Sequence, residues 1–158
     1  MNQRHITGIG LFALIGAGSV LAIITVAGGL EPDLRDAAVR CGALGGAFVG
    51  YWTANRLRSR EPKHIVGLGA AAGVLLHPVM WFFFINYQSI QDQLPTLEYL
   101  SEWTNVLNYS LASLPQGGAV TLPLSLAGVW LLARRVSDEE HQPDVNPSDS
   151  ASSSDHSD

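Results

Sequence analysis

The sequence predicts an all-α, polytopic membrane protein: a four-transmembrane-helix bundle with an extracytoplasmic amphipathic surface helix and a disordered C-terminal tail. Three observations carry that expectation. Charged residues make up 15% of the chain and apolar ones 47%, whereas roughly a quarter of a soluble domain is charged. Residues 6–30 contain no charge and are long enough to cross a hydrocarbon core of about 30 Å with some tilt. Ala38, Gly42, Gly46, Gly50 and Ala54 recur every four residues, which in a helix stacks all five on one ridge. Such a ridge leaves a groove into which a second backbone can settle, and close packing of that kind holds helices together in lipid.

The bulk figures agree once the chain is divided. At 158 residues it holds at most one ordinary domain. The mean hydropathy of +0.17 averages apolar stretches with a polar end. The net charge of −5 is likewise local, because seven of the fourteen acids (Asp138, Glu139, Glu140, Asp144, Asp149, Asp155 and Asp158) fall near the C-terminus. Outside one short loop there is no Lys/Arg patch of the nucleic-acid type, so the expected partner is the lipid bilayer and not nucleic acid. Cys41 is the only cysteine, which excludes an intrachain disulfide.

The helical domain covers residues 1–136, with spans at about 6–30, 36–55, 64–87 and 118–133. Arg4 before the first span, and Thr25-Val26-Ala27 within it, also fit a secretory signal peptide. The apolar run exceeds the usual h-region of about 7–15 residues and further spans follow, which favours a retained helix. Glu31-Pro32-Asp33 breaks the chain into a short acidic turn. The second span holds the small-residue ridge, with Arg40 in its first turns, placed to snorkel outward or to pair with Asp36. Arg56, Arg58, Arg60 and Lys63 form a basic hairpin leading to the third span. There Gly69, Gly73 and His77 make a second ridge at four-residue spacing, so spans two and three are expected to pack as an antiparallel pair.

Between the third and fourth spans, Leu97, Leu100, Thr104, Leu107, Leu111 and Leu114 alternate at threes and fours. That stripe predicts an amphipathic helix over about 96–114, opened by Pro95 and closed by Pro115-Gln116-Gly117-Gly118, lying at the membrane surface. The fourth span stops at Arg134-Arg135. Residues 137–158 are rich in Ser and Asp and too polar to bury a core, which predicts a disordered tail.

Arg4, Arg56, Arg58, Arg60, Lys63, Arg134 and Arg135 all flank one side of the bundle, and only Arg35 and Arg40 the other. The excess sets both termini in the cytoplasm of a multi-pass cell-membrane protein. The same basic residues can meet lipid headgroups.

Two positions, His77 and Arg40, are candidate intramembrane polar sites. An ionisable residue inside a span is a functional candidate by default, as a proton relay, ligand or switch. The competing reading is a neutral histidine that hydrogen-bonds across the bundle or to backbone freed by Pro78, and the lack of a carboxylate or second histidine at that depth favours it. His5 and His64 could meet at the basic end, but two histidines alone make a weak metal site. Cys41 reads as a packing residue. No catalytic residue, metal or cofactor is expected. The expected role is a non-enzymatic helix-bundle or assembly protein, working as a homo-oligomer or with a membrane-protein partner. The alternative is a subunit of a small oligomeric transporter or channel with His77 near the pathway.

Overall fold

The computed structural model describes residues 3–26, 29–57, 61–91 and 96–140. Among the described residues four helices follow one another: α1 (Gln3–Val26), α2 (Pro32–Arg56), α3 (Pro62–Gln91) and α4 (Thr96–Glu140). Among the described residues three segments are long and apolar enough to cross a membrane, Gln3–Thr25, Pro62–Gln88 and Gly117–Arg135, which fits a membrane protein. α2 falls short of that hydropathy because glycine, alanine and five charges fill much of its length.

Local chemistry sets the helix ends. Gly29 takes φ +95°, a left-handed conformation that glycine tolerates, and its N–H donates to the Ile24 carbonyl 2.9 Å away, satisfying a carbonyl at the end of α1. Pro32 and Pro62 open α2 and α3 at the position where a missing N–H costs nothing. The Glu31 and Glu61 carbonyls accept the first bonds of those helices, from Arg35 N–H at 2.9 Å and Ile65 N–H at 3.0 Å. At the other end of α2 the Leu57 N–H closes onto the Thr53 carbonyl.

The glycine ridge of α2 lies on α1, not on α3. Gly50 faces Gly8, Gly46 faces Phe12 and Ala13, and Gly42 faces Gly16 and Val20, an antiparallel register in which the two backbones touch. Ala54 ends the row against Gly8, while Ala38 at its start is only half-buried. The expected pairing of this ridge with Gly69 and Gly73 does not occur. Those two glycines receive Leu126 and Leu122 of α4. The reason is complementary spacing: Gly8 and Gly16 on α1 are about two turns apart and match Gly50 and Gly42 of the α2 row glycine to glycine, whereas the α3 notches are filled by side-chain knobs. α2 still meets α3, through Gly45 against Met80. The core that results contains Phe12, Val49, Leu68, Leu76, Val129 and Leu132.

α4 corrects a second expectation. It continues through Pro115, Gly117 and Gly118, where the sequence suggested a stop, and joins residues 96–114 to the fourth span as one 45-residue helix. At 1.5 Å per residue it is about 68 Å long. A proline inside a helix removes one hydrogen bond, and α4 carries two, Pro115 and Pro123. Two leucines of the stripe turn away from the bundle. Leu107 and Leu111 are 61% and 67% exposed, while Val106 and Ser110 are buried. α4 reaches Glu140, so the first residues of the expected tail are helical; residues 141–158 of that tail lie outside the described residues.

Candidate functional site

The most constrained polar group in the interior is His77. It sits midway along α3, one residue before Pro78, and is 2% exposed. Its Nδ1 lies 3.0 Å from Ser113 Oγ and its Nε2 2.9 Å from Thr121 Oγ1, both on α4. The surrounding bonds assign the protons. Ser113 Oγ donates its single hydrogen to the Ser110 carbonyl at 3.1 Å and accepts from Trp81 Nε1–H at 3.1 Å. Its remaining lone pair therefore accepts from His77 Nδ1–H, and Nε2 of the neutral ring accepts from the Thr121 hydroxyl. Trp81 is fixed in turn by stacking on Tyr109, with ring centroids 5.0 Å apart.

Gly117 makes this geometry available. A Cβ there would fall 2.5 Å from His77 Cε1 and 3.1 Å from Ile23 Cδ1 of α1, so only glycine lets α4 pass this close to the ring. The site is thus a junction of α1, α3 and α4. Below it the interior stays polar: Ser125, four residues beyond Thr121, and Ser19 are fully buried with hydroxyls that have no partner, as is Thr53 of α2. Ser19 lies one turn from both Ile15, which touches Gly128, and Ile23, which touches Gly117. It is therefore set against the Thr121–Ser125 stretch of α4.

The sequence singled out His77 but not its partners. Ser110, Ser113, Gly117, Thr121 and Ser125 recur at threes and fours on α4, a small and polar stripe that was readable by the same periodicity as the leucines. Arg40 is exposed, and the carboxylate of Asp36 lies 3.8 Å from Arg35 Nε instead. Cys41 is buried at 4% exposure.

Several of the basic residues make contacts at the helix ends away from His77. Arg4 donates to the Leu57 carbonyl, next to the negative end of the α2 dipole. Arg56 lies over Trp52 at 5.8 Å and Arg134 over Trp130 at 3.8 Å, within cation–π range. Lys63 and Arg135 are exposed; Arg58 and Arg60 lie outside the described residues. His5 and His64 do not join. His5 Nε2 is 2.9 Å from Asn55 Oδ1, and His64 Nε2 is 3.2 Å from the Arg56 carbonyl. Among the described residues no three His, Cys, Asp or Glu side chains converge on a metal-sized site.

Outward-facing surfaces complete the picture. On α1 the exposed row runs Ile6, Gly10, Leu14, Gly18, Leu21. Leu14 is 74% exposed, and Gly10 and Gly18 have open space where a Cβ would stand. In comparisons with known proteins, no family model, curated protein or solved structure matches the chain.

Proposed function

We propose that the protein is a multi-pass protein of the cell membrane with four spans and both termini in the cytoplasm, and that its role is non-enzymatic assembly. It is a helix-bundle module that associates through α1 with a second copy of itself or with a helix of a membrane-protein partner. The observation that carries this reading is the outer face of α1, where the Leu14 knob stands between the open notches at Gly10 and Gly18. Small residues are what lipid-embedded interfaces use for close approach, and here two of them lie on an uncovered apolar face. α1 also has the least covered apolar span, 28% buried against 39% for α3 and 44% for α4.

The fourth span is α2. Its ridge is covered by α1 while Leu44, Phe48 and Tyr51 remain exposed on its other side, as expected of a helix facing lipid. An even number of crossings agrees with Arg4, Arg56, Lys63 and Arg134 lying toward one end, and the positive-inside rule makes that end cytoplasmic. Residues 96–114 then belong to the extracytoplasmic part of α4. His77 is best read as a clasp, because both ring nitrogens are occupied by hydroxyls of the facing helix.

A second reading, an oligomeric transporter or channel subunit with His77 near the pathway, draws on the unpartnered hydroxyls of Ser19, Thr53 and Ser125. Crosslinking and native mass spectrometry in mild detergent test the first reading, with oligomers expected that weaken in Gly18→Leu. Proteoliposome flux that disappears in His77→Ala would favour the second.

A further inference from the structure

Between α2, α3 and α4 runs an open groove of about 470 Å³, lined by Phe48, Leu75, Val79, Phe82, Phe83 and Leu107. Its volume falls in the range of about 300–1,000 Å³ typical of small-molecule sites. Its walls are almost wholly carbon, with Thr104 and backbone as the polar exceptions. Such a surface offers a ligand dispersion contacts and little to hydrogen-bond, which suits a flexible hydrocarbon chain.

Charge along α2 says what heads that chain. Asp36, Arg40, Leu44 and Phe48 are spaced by four and all exposed, so they form one row from the acidic turn to the groove. Arg40 stands about 12 Å along the axis from Phe48, within the reach of a chain crossing one leaflet, about 15 Å. Asp36 lies one turn further out, with Asp33 and Glu31 exposed beyond it. Arg35 is 3.8 Å from Asp36 in an exposed pair, which leaves much of that carboxylate open. A cation nearer the apolar region and anions outside it mirror the order of a zwitterionic headgroup, phosphate inside and amine outside. An anionic headgroup would meet the acids unfavourably.

We infer that the groove binds one phosphatidylethanolamine-type phospholipid, an acyl chain lying on Phe48, Leu75 and Val79, its phosphate on Arg40 and its ammonium at Asp36. This rests on α2 lying in the bilayer as proposed above.

The test is native mass spectrometry of the full chain in mild detergent, with phosphatidylethanolamine, phosphatidylcholine and phosphatidylglycerol of matched chains added separately. Phosphatidylethanolamine is expected to be retained best. Arg40→Gln should weaken its retention about fivefold, the loss expected for one cation near a phosphate. Asp36→Asn should erase its advantage over phosphatidylcholine, and Lys63→Gln at the other end should change nothing. Val79→Trp fills the groove and should expel the lipid. Leu107→Trp, at an exposed wall position, gives the same readout if Val79→Trp fails to fold. Equal retention of the three lipids, indifference to Arg40→Gln, or a second copy sealing the groove would overturn the inference. In a Cys41→Ser background, Leu44→Cys should resist a membrane-impermeant maleimide in vesicles. Labelling there would instead overturn the placement of α2, and the lipid site with it.

Discussion

Gly46 lies so close to Phe12 that a methyl group on its Cα would overlap the Phe12 carbonyl oxygen. The most regular pattern in the sequence is therefore used up inside the protomer, where it fixes α2 to α1. Gly46→Leu should abolish the folded protomer itself. Gly46→Ala should destabilise it by about 1–3 kcal/mol, the cost of overpacking a filled site. Reversible unfolding in mixed micelles measures this, and an Ala variant as stable as the parent would mean the two backbones are not in contact.

His77 gives a second test. Removing the ring in His77→Ala leaves the buried Thr121 hydroxyl without its partner, while Ser113 keeps Ser110 and Trp81, at a cost of about 1–3 kcal/mol for the unsatisfied group. A double-mutant cycle with Thr121→Val should return a coupling of about 0.6 kcal/mol, and no more than about 1.7 kcal/mol, the span seen for interhelical hydrogen bonds in membranes. Zero coupling would show that the ring and the hydroxyl do not interact.

The bonding around Ser113 also assigns the tautomer. Nitrogen-15 NMR of labelled His77 should show a protonated Nδ1 and an unprotonated Nε2. Ser113→Ala removes the acceptor and should shift the Nδ1 signal while Nε2 keeps its partner Thr121. A protonated Nε2 in the parent protein would reverse the assignment.

Gly117 is a separate position with a separate outcome. Gly117→Ala places a methyl 2.5 Å from His77 Cε1, so the ring or α4 must shift. Trp81 shares Ser113 with His77, and its fluorescence should move along with the loss of stability. An unchanged spectrum and midpoint would show that α4 is not held against the ring.

Much of this architecture was legible in the sequence, and the parts that were not have physical causes. Length, apolar runs and prolines located α1, α2 and α3 because backbone chemistry is local. Glycine spacing told where a backbone can come close but not which one. Gly42 and Gly46 could have met Gly69 and Gly73, and only the matching interval of Gly8 and Gly16 decided otherwise. The leucine stripe of residues 97–114 predicts a surface helix. In a membrane bundle apolar side chains also face outward, so the inward face is marked by small and hydroxyl residues such as Ser110, Thr121 and Ser125. Pro115 does not end the helix, because a proline removes one hydrogen bond without forbidding the rest, and α4 continues to the close approach of Gly117 and His77. The partners of His77 stand 36 and 44 residues away, a distance over which no local pattern speaks.

The assembly role itself rests on the outer face of α1. Native mass spectrometry in mild detergent, run on the parent protein, Gly18→Leu and Gly16→Leu, addresses it most directly. Gly16 faces Gly42 inside the protomer, while Gly18 opens outward. The account predicts oligomers in the parent, folded protein with weakened oligomers in Gly18→Leu, and loss of the folded protomer in Gly16→Leu. A strictly monomeric parent, or oligomers unchanged by Gly18→Leu, would contradict it.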